Sequence, residues 1–97
     1  MYKLSFYVVE DYLEPVKNAI FAAGAGEYDN FKNCCWQTKG EGQYQAIAEE
    51  LKTQIEYKVE IFCQKEKIQQ IITALKAAHP CAEPAYAILE MLKLDVG

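Results

Sequence analysis

The chain has 97 residues, 52% of them apolar and 25% charged, a composition typical of one globular domain and unlike that of a disordered or fibrous chain. The net charge is −4 and the ten basic residues are all lysines spread along the sequence, so we expect no nucleic-acid partner, which would need a clustered positive surface. No apolar run approaches the ~20 residues of a membrane span, and the first residues lack the pattern of a signal peptide. We therefore expect a cytoplasmic protein with no membrane partner, and treat residues 1–97 as a single domain.

The first half of the chain predicts a strand, a helix and a loop. Residues Tyr2 to Val9 alternate between the two faces of a strand. Asp11 lies three residues before Glu14, a carboxylate version of the helix-start signal, and an apolar stripe follows it. Gly24 is a natural left-handed cap, so the helix is predicted to end there and residues 24–33 to form a loop.

The middle of the chain predicts two short strands, Cys34 to Thr38 and Gln43 to Ile47. Between them lies Gly40-Glu41-Gly42, which is either a tight hairpin or a glycine bulge in one long bent strand. Residues Glu49 to Thr53 are ambiguous, and a short helical turn is one interpretation.

The second half of the chain carries the clearest patterns. Residues Gln54 to Cys63 alternate as an antiparallel strand with one buried and one wet face. Residues Lys65 to Ala78 predict a helix with apolar side chains on one face. Residues Ala85 to Leu94 predict a final strand that is largely apolar on both faces.

The predicted order β-α-β-β-α-β defines an α+β fold. Right-handed crossovers place both helices on one face of a four-stranded antiparallel sheet, with the first and third strands central, which is the ferredoxin-like sandwich. The other face is left open. We expect several apolar side chains on or near it, and an exposed apolar surface of that kind indicates a partner. These residues are Tyr7, Val9, Phe62, Ile88 and Leu92.

The loop before the last strand suggests a metal site. His79, Cys81 and Glu83 alternate along it and offer nitrogen, sulfur and oxygen ligands, and Cys34 or Cys35 is a further thiol from elsewhere in the chain or from a neighbouring subunit. Imidazole with thiolate suits zinc or copper(I). The alternative is structural, with His79 capping the end of the second helix.

Other chemistry is weakly indicated. No nucleophile with an adjacent base is evident, and a thiol enzyme using Cys35 or Cys81 is the least favoured reading. The four cysteines do not follow a secreted disulfide framework, so reduced thiols are expected, with Cys63 in the core. Trp36 and nearby aromatic residues suit either a ligand shelf or an interface.

Three motifs together resemble the YqfO family. They are Gly-Ala-Gly at 24–26, Cys-Cys-Trp-Gln-Thr-x-Gly-Glu-Gly-Gln-Tyr at 34–44, and His-Pro-x-x-Glu-Pro-Ala-Tyr at 79–86. The matching segment in that family is the insert of the Nif-three-like (Ngg-interacting-factor type) proteins, which is similar to the trimeric CutA and PII folds. The chain departs from the family at residues 45–53, which are short and helix-prone, and at Cys81, where an aromatic residue is usual.

The resemblance implies a CutA/PII-like oligomeric module that stands alone, with no enzyme activity and with a regulatory or scaffolding role. A homotrimer is expected, with a dimer as the alternative. The two-metal centre of the family lies in flanking domains, so the resemblance does not carry it to this chain. A copper- or zinc-binding protein is the alternative function. Candidate residues for a small-molecule ligand are Trp36, Gln37, Tyr44, His79, Glu83 and Tyr86.

Overall fold

The computed structural model describes residues 1–92 and contains four strands and two helices in the predicted order. The elements are β1 (Tyr2–Val9), α1 (Glu10–Ala22), β2 (Trp36–Tyr44), β3 (Lys52–Cys63), a 3₁₀ turn (Lys65–Lys67), α2 (Ile68–Ala78) and β4 (Tyr86–Glu90). Within residues 1–92, no helix is both long and apolar enough to cross a membrane.

The strands form one antiparallel sheet in the order β2-β3-β1-β4, which confirms that the first and third strands are central. β1 pairs along its whole length with β3, from Tyr2 opposite Cys63 to Val9 opposite Glu56. β4 covers only the first part of β1, and its pairing ends where Tyr86 lies opposite Phe6. The edges of the sheet are therefore β2 on one side and β4 on the other.

The core lies between the sheet and the two helices. Alternate residues of β1 and β3 point into it and meet the apolar stripes of α1 and α2, as the sequence periodicity predicted. Full burial of one such aliphatic or aromatic side chain contributes about 1.5–3 kcal/mol. The fully buried side chains are Leu4, Phe6, Val8, Val16, Ile20, Val59, Ile61, Cys63, Ile71 and Leu75.

The glycines after α1 form the helix cap and turn that the sequence indicated. Gly24 has φ +104° and Gly26 has φ +78°, both in the left-handed region that favours glycine. Gly26 links β3 to the residues just before β2 through two backbone hydrogen bonds. Its N–H donates to the carbonyl of Phe62 (2.9 Å), and its carbonyl accepts from the N–H of Cys34 (2.9 Å). At the other end of α1, the N-cap is Val9 with no side-chain cap, so the predicted capping position at Asp11 was two residues too late.

β2 is one continuous strand, which corrects the prediction of a hairpin or bulge at Gly40-Glu41-Gly42. Its register with β3 is regular from Trp36 opposite Glu60 to Tyr44 opposite Lys52. The turn lies instead at residues 45–51, and Cys34 and Cys35 precede the strand. Glycine weakens a strand but does not end it where a long neighbouring strand provides a pairing partner.

The β2–β3 pair extends beyond the rest of the sheet. β1 ends at Val9, which lies opposite Glu56, so residues Lys52 to Ile55 of β3 have no neighbouring strand on that side in the part of the chain that the structure describes. They pair only with Glu41–Tyr44 of β2. We call these two segments with residues 45–51 the projecting ribbon. The molecule is accordingly elongated, with extents of 54 × 29 × 21 Å.

The open face of the sheet differs from the prediction at β4. Ile88 lies opposite Leu4, so the two residues share the face that packs on the helices, and Leu89, opposite Lys3, points to the open face. β4 is apolar on both faces, so its alternation did not fix which set points inward. Leu92 follows the end of β4, while the predicted strand residues 93 and 94 lie outside the described residues.

Candidate functional site

His79 lies directly after α2, where its N–H donates to the carbonyl of Leu75 (2.9 Å). Its imidazole makes two further hydrogen bonds to backbone atoms. Nε2 lies 2.6 Å from the carbonyl oxygen of Tyr7, and the N–H of Cys81 donates to Nδ1 at 3.0 Å. A carbonyl can only accept and an amide N–H can only donate, so the imidazole is the neutral tautomer that carries its proton on Nε2.

Within one chain, this geometry gives His79 a structural role. Both ring nitrogens are used by the backbone, so neither has a lone pair free for a metal or a ligand. The imidazole instead pairs the carbonyl of Tyr7, the first β1 residue beyond the end of the β4 pairing. His79 therefore fastens the α2–β4 connection to the sheet, which is close to the structural alternative that the sequence left open.

The predicted metal ligands lie at opposite edges of the sheet. Cys34 and Cys35 lead into β2, while His79, Cys81 and Glu83 lead into β4. Three strand spacings separate these edges, a distance of roughly 14 Å. Within residues 1–92 no three His, Cys, Asp or Glu side chains are grouped so as to hold a metal ion. One chain does not bring the predicted set together, and a zinc or copper site shared between copies stays a prediction.

The four cysteines occupy different environments, and all are free thiols. Cys63 is fully buried in the core, as predicted, and burial raises the pKa of its thiol to about 11. It therefore stays protonated at neutral pH and is a packing residue. Cys34 and Cys35 are partly buried, and Cys81 is exposed.

A pocket of about 460 Å³ lies beside the start of β2, and three of the predicted candidate residues line it. We call it the Trp36 pocket. Trp36 and the two preceding cysteines come from the β2 side, and the other lining residues come from β1 and β3. The full lining is Lys3, Cys34, Cys35, Trp36, Glu60, Ile61 and Phe62.

The aromatic side chains of the pocket are held in place by local contacts. The indole of Trp36 is 69% exposed, and its Nε1–H donates to Oγ1 of Thr38 at 3.1 Å. Residues two apart on a strand share a face, so this bond holds the indole along β2 on the open side of the sheet. Phe62 is supported by the ring of Tyr28, with centroids 5.3 Å apart.

A charged cluster forms the polar part of the pocket. Nζ of Lys3 lies 2.7 Å from Oε1 of Glu60, and Nζ of Lys58 lies 3.9 Å from the same oxygen. The hydrogen bond from Lys3 lowers the pKa of the Glu60 carboxyl below its ordinary value. Glu60 is therefore a carboxylate at neutral pH, and it is the pocket's hydrogen-bond acceptor.

The other predicted ligand residues are dispersed. Gln37 lies on the opposite face of β2 from Trp36, where its Oε1 accepts a hydrogen bond from Nζ of Lys17 at 2.7 Å. Tyr44 ends β2 in the projecting ribbon, and Glu83 is exposed in the α2–β4 loop. Tyr86 begins β4 on the helix side, with the ammonium of Lys76 5.9 Å from its ring centroid. Of the six ligand candidates, only Trp36 lines the pocket.

Sequence reasoning did not identify Lys3 and Glu60 as site residues. Both belong to the polar face of an alternating strand, which the pattern assigned correctly. What brings them to Trp36 is the register: Glu60 lies opposite Trp36, and Lys3 lies opposite Phe62. A one-residue change in register would move every side chain to the other face, and the sequence pattern does not specify register between separate strands.

The sequence of the chain is similar to one part of longer known proteins. No protein-family model matches the chain. It is 30% identical to the GTP cyclohydrolase 1 type 2 homolog of Mycobacterium tuberculosis over 104 residues, which cover 98% of this chain and 27% of that protein. The corresponding homolog of Bacillus subtilis is 30% identical over 95 residues, 89% of this chain and 26% of that protein. The chain thus spans about a quarter of the length of these curated relatives.

Solved structures give the same relationship. A Bacillus cereus protein related to NIF3 superposes with a TM-score of 0.83 and 27% identity, over 90% of this chain and 24% of that one. CutA1 from Pyrococcus horikoshii superposes with a TM-score of 0.77 over 99% of this chain and 88% of that one, and at 11% identity this likeness concerns the fold alone. The chain is therefore homologous to one segment of the NIF3-related proteins of the YqfO family, and its α+β fold is that of the CutA proteins.

Proposed function

We propose that the chain is a self-assembling regulatory or scaffolding module without enzyme activity of its own, and that the Trp36 pocket lies at a cleft between subunits and takes a small ligand. A homotrimer is the proposed assembly. The observation that carries the proposal is the projecting ribbon, which none of the other residues in the described range 1–92 supports.

A two-stranded ribbon alone is marginally stable in water, because one pair of strands buries too little apolar surface. This ribbon also exposes apolar side chains: Ile47 in the turn is 99% exposed, and Leu51 and Ile55 are 55% and 45% exposed. Burial of these side chains against a second copy would remove them from water and would fix the ribbon in place.

The two free edges of the sheet support a ring. Among the described strands, β2 has an unpaired outer edge of nine residues and β4 one of five, and they lie on opposite sides of the sheet. An unpaired edge is a template for another strand. Contacts between different edges of successive copies are heterologous, and they close into a ring when the rotation per copy allows it. Three copies follow from the likeness to the trimeric CutA and PII folds.

The chemistry of the described residues supports a role other than catalysis. His79 uses both ring nitrogens on the backbone, and the thiol of Cys34 donates to the carbonyl of Lys32 at 3.7 Å. Neither arrangement is a nucleophile activated by a base. The relatives are named as homologs of GTP cyclohydrolase 1 type 2, but this chain matches about a quarter of them, so an activity of the whole protein is not transferred here.

Sedimentation velocity on a ribbon variant tests the proposal. Ile47→Thr, Leu51→Thr and Ile55→Thr together remove exposed apolar area, and threonine is itself β-branched, so it is compatible with the strand at position 55. We expect this triple variant to dissociate at concentrations where the original chain is assembled. The matched control is Tyr12→Gln, which removes a 45% exposed aromatic side chain from α1 and should leave the assembly unchanged. An unchanged sedimentation coefficient in the triple variant would show that the ribbon is not the interface.

A further inference from the structure

The surface that the Trp36 pocket presents to a ligand is an aromatic platform. The single polar atom of the indole, Nε1–H, is already bonded to Thr38, so the exposed part of Trp36 offers only its π face. The same bond restricts the rotation of the side chain before any ligand arrives, which lowers the entropy lost on binding. Stacking of a flat ring is the contact that such a surface favours.

One hydrogen-bond acceptor lies across the strand pair from this platform. Glu60 is the residue opposite Trp36, and both ammonium groups near it, those of Lys3 and Lys58, lie against Oε1. Oε2 has no hydrogen-bond or ion-pair partner among the described residues and remains available to a donor. Oε2 of Glu60 thus offers a hydrogen-bond acceptor in the pocket, while the ammonium of Lys3, which also lines the pocket, is paired with Oε1.

We propose that the Trp36 pocket binds a planar heteroaromatic base that bears a ring N–H, with the ring stacked on Trp36 and the N–H donated to Glu60. This proposal rests on the proposed function, since it names the ligand class of that pocket. The volume of about 460 Å³ is within the roughly 300–1,000 Å³ typical of small-ligand sites.

The lining argues for a base or nucleoside rather than a nucleotide. A phosphate group is usually held by arginine forks, a glycine-rich loop or a helix N-terminus. The chain has no arginine, and the lining residues come from β1, β3, the first residue of β2 and the two residues before it, with no helix among them. The lysine that lines the pocket, Lys3, is already paired with Glu60.

The sole tryptophan of the chain lies in the pocket, so its fluorescence reports on this site alone. The probes are theophylline and caffeine, two planar purines that differ in one position: theophylline has a ring N–H where caffeine has an N-methyl group. We expect saturable quenching of Trp36 by theophylline, with at least tenfold weaker affinity for caffeine. Equal affinity for the two purines, or no response to either at millimolar concentration, would overturn the proposal.

Two variants separate the stacking from the hydrogen bond. Glu60→Thr, on the exposed face of β3, should remove the preference for theophylline over caffeine. Glu56→Thr changes the preceding carboxylate on the same face of that strand, does not line the pocket, and should keep the preference. Trp36→Ala, followed by equilibrium dialysis of theophylline, should abolish binding; retained binding would overturn the proposal.

The mass of the protein in solution measures assembly independently of the fluorescence titrations with the purines. If the protein assembles but neither purine changes the Trp36 fluorescence, the ligand assignment is overturned and the proposed assembly stands. If the protein is a monomer that binds theophylline more tightly than caffeine, the proposed assembly is overturned and the ligand assignment stands. A blue shift of Trp36 emission on concentrating the protein, without any response to the purines, places a second copy on this surface and overturns the ligand proposal.

Discussion

At the scale of single residues, the imidazole of His79 acts as a structural link within one chain. Its imidazole joins two backbone groups that are distant in sequence, the carbonyl of Tyr7 and the N–H of Cys81. Each group would otherwise have to find water or remain unpaired. The neutral Nε2–H tautomer is the form that satisfies both at once.

His79→Ala should lower the free energy of unfolding by about 1–2 kcal/mol, because each lost hydrogen bond contributes about 0.5–1.5 kcal/mol. Urea unfolding measures the change. Glu83→Ala is the control from the same loop: its side chain is exposed and makes no hydrogen bond or ion pair among the described residues, so we expect a change within about 0.5 kcal/mol. Equal effects of the two substitutions would contradict the assignment of His79.

Glu60 predicts how stability depends on acid. Its pKa is lowered in the folded chain by the hydrogen bond from Lys3, below the ordinary value of 4.5. A depressed carboxyl pKa contributes stability above the unfolded value, and this contribution is lost as the pH falls through the folded value. We therefore expect the free energy of unfolding to decrease as the pH drops below about 4.5.

The free energy of unfolding is measured by urea denaturation at several pH values from neutral into the acid range. Glu60→Gln should make the acid decrease shallower, while Glu83→Gln should leave it as in the original chain. Some decrease will remain in Glu60→Gln, because Lys67 lowers the pKa of the Glu27 carboxyl in the same way. An acid profile that does not differ between Glu60→Gln and the original chain would contradict the role of the Lys3–Glu60 pair.

At the scale of elements, α2 shows how depth of burial ranks the residues of one apolar stripe. Ile71 and Leu75 are fully buried, whereas Ile72 is partly exposed at the edge of the helix–sheet contact. The sequence places all three on one face and does not distinguish them.

Leu75→Ala should therefore cost about 2–5 kcal/mol in the free energy of unfolding, since it leaves a cavity in the core. Ile72→Ala should cost clearly less, because part of its side chain is already in water. Chemical denaturation of the two variants under the same conditions makes the comparison. A larger loss for Ile72→Ala than for Leu75→Ala would mean that the orientation of α2 is different from the one described.

Gly40 in β2 and Gly26 in the loop after α1 differ in how strictly their positions require glycine. Gly40 lies in a regular strand, and a Cβ at that position would meet no atom within 4 Å. Gly26 has φ +78°, and a Cβ there would lie 2.6 Å from the carbonyl oxygen of Cys34. The first glycine is therefore dispensable within one chain, and the second is required by the backbone.

Gly40→Ala should leave the free energy of unfolding unchanged or raise it slightly, whereas Gly26→Ala should lower it by about 1–3 kcal/mol. Thermal or urea unfolding at a fixed protein concentration tests the pair. If Gly40→Ala destabilises the protein only at concentrations where it is assembled, a neighbouring copy approaches that strand closely. Destabilisation of the isolated chain by Gly40→Ala would contradict the regular strand geometry.

At the scale of the whole molecule, sequence periodicity was enough for the layers and the strand order. Alternation in β1 and β3 and the apolar stripes of both helices predicted which residues meet in the core. The pattern failed where it was ambiguous: β4 is apolar on both faces, and the glycines of β2 looked like an interruption. The Trp36 pocket depends on the register between strands, and the role of His79 depends on a hydrogen bond between residues 72 positions apart; a local pattern encodes neither.

The central claim about the whole molecule is that the chain is one subunit of a closed ring. The projecting ribbon, its exposed apolar side chains and the two free sheet edges all lack partners within the described residues of one chain. A ring provides partners for all of these features, since the β2 edge of each copy meets the β4 edge of the next.

Light scattering across a dilution series tests this claim most directly. We expect a mass three times the 11.0 kDa of one chain, constant over the micromolar range because closed rings dissociate only on strong dilution. A mass twice that of one chain would replace the trimer by a dimer. A mass of 11.0 kDa throughout the series would contradict self-assembly.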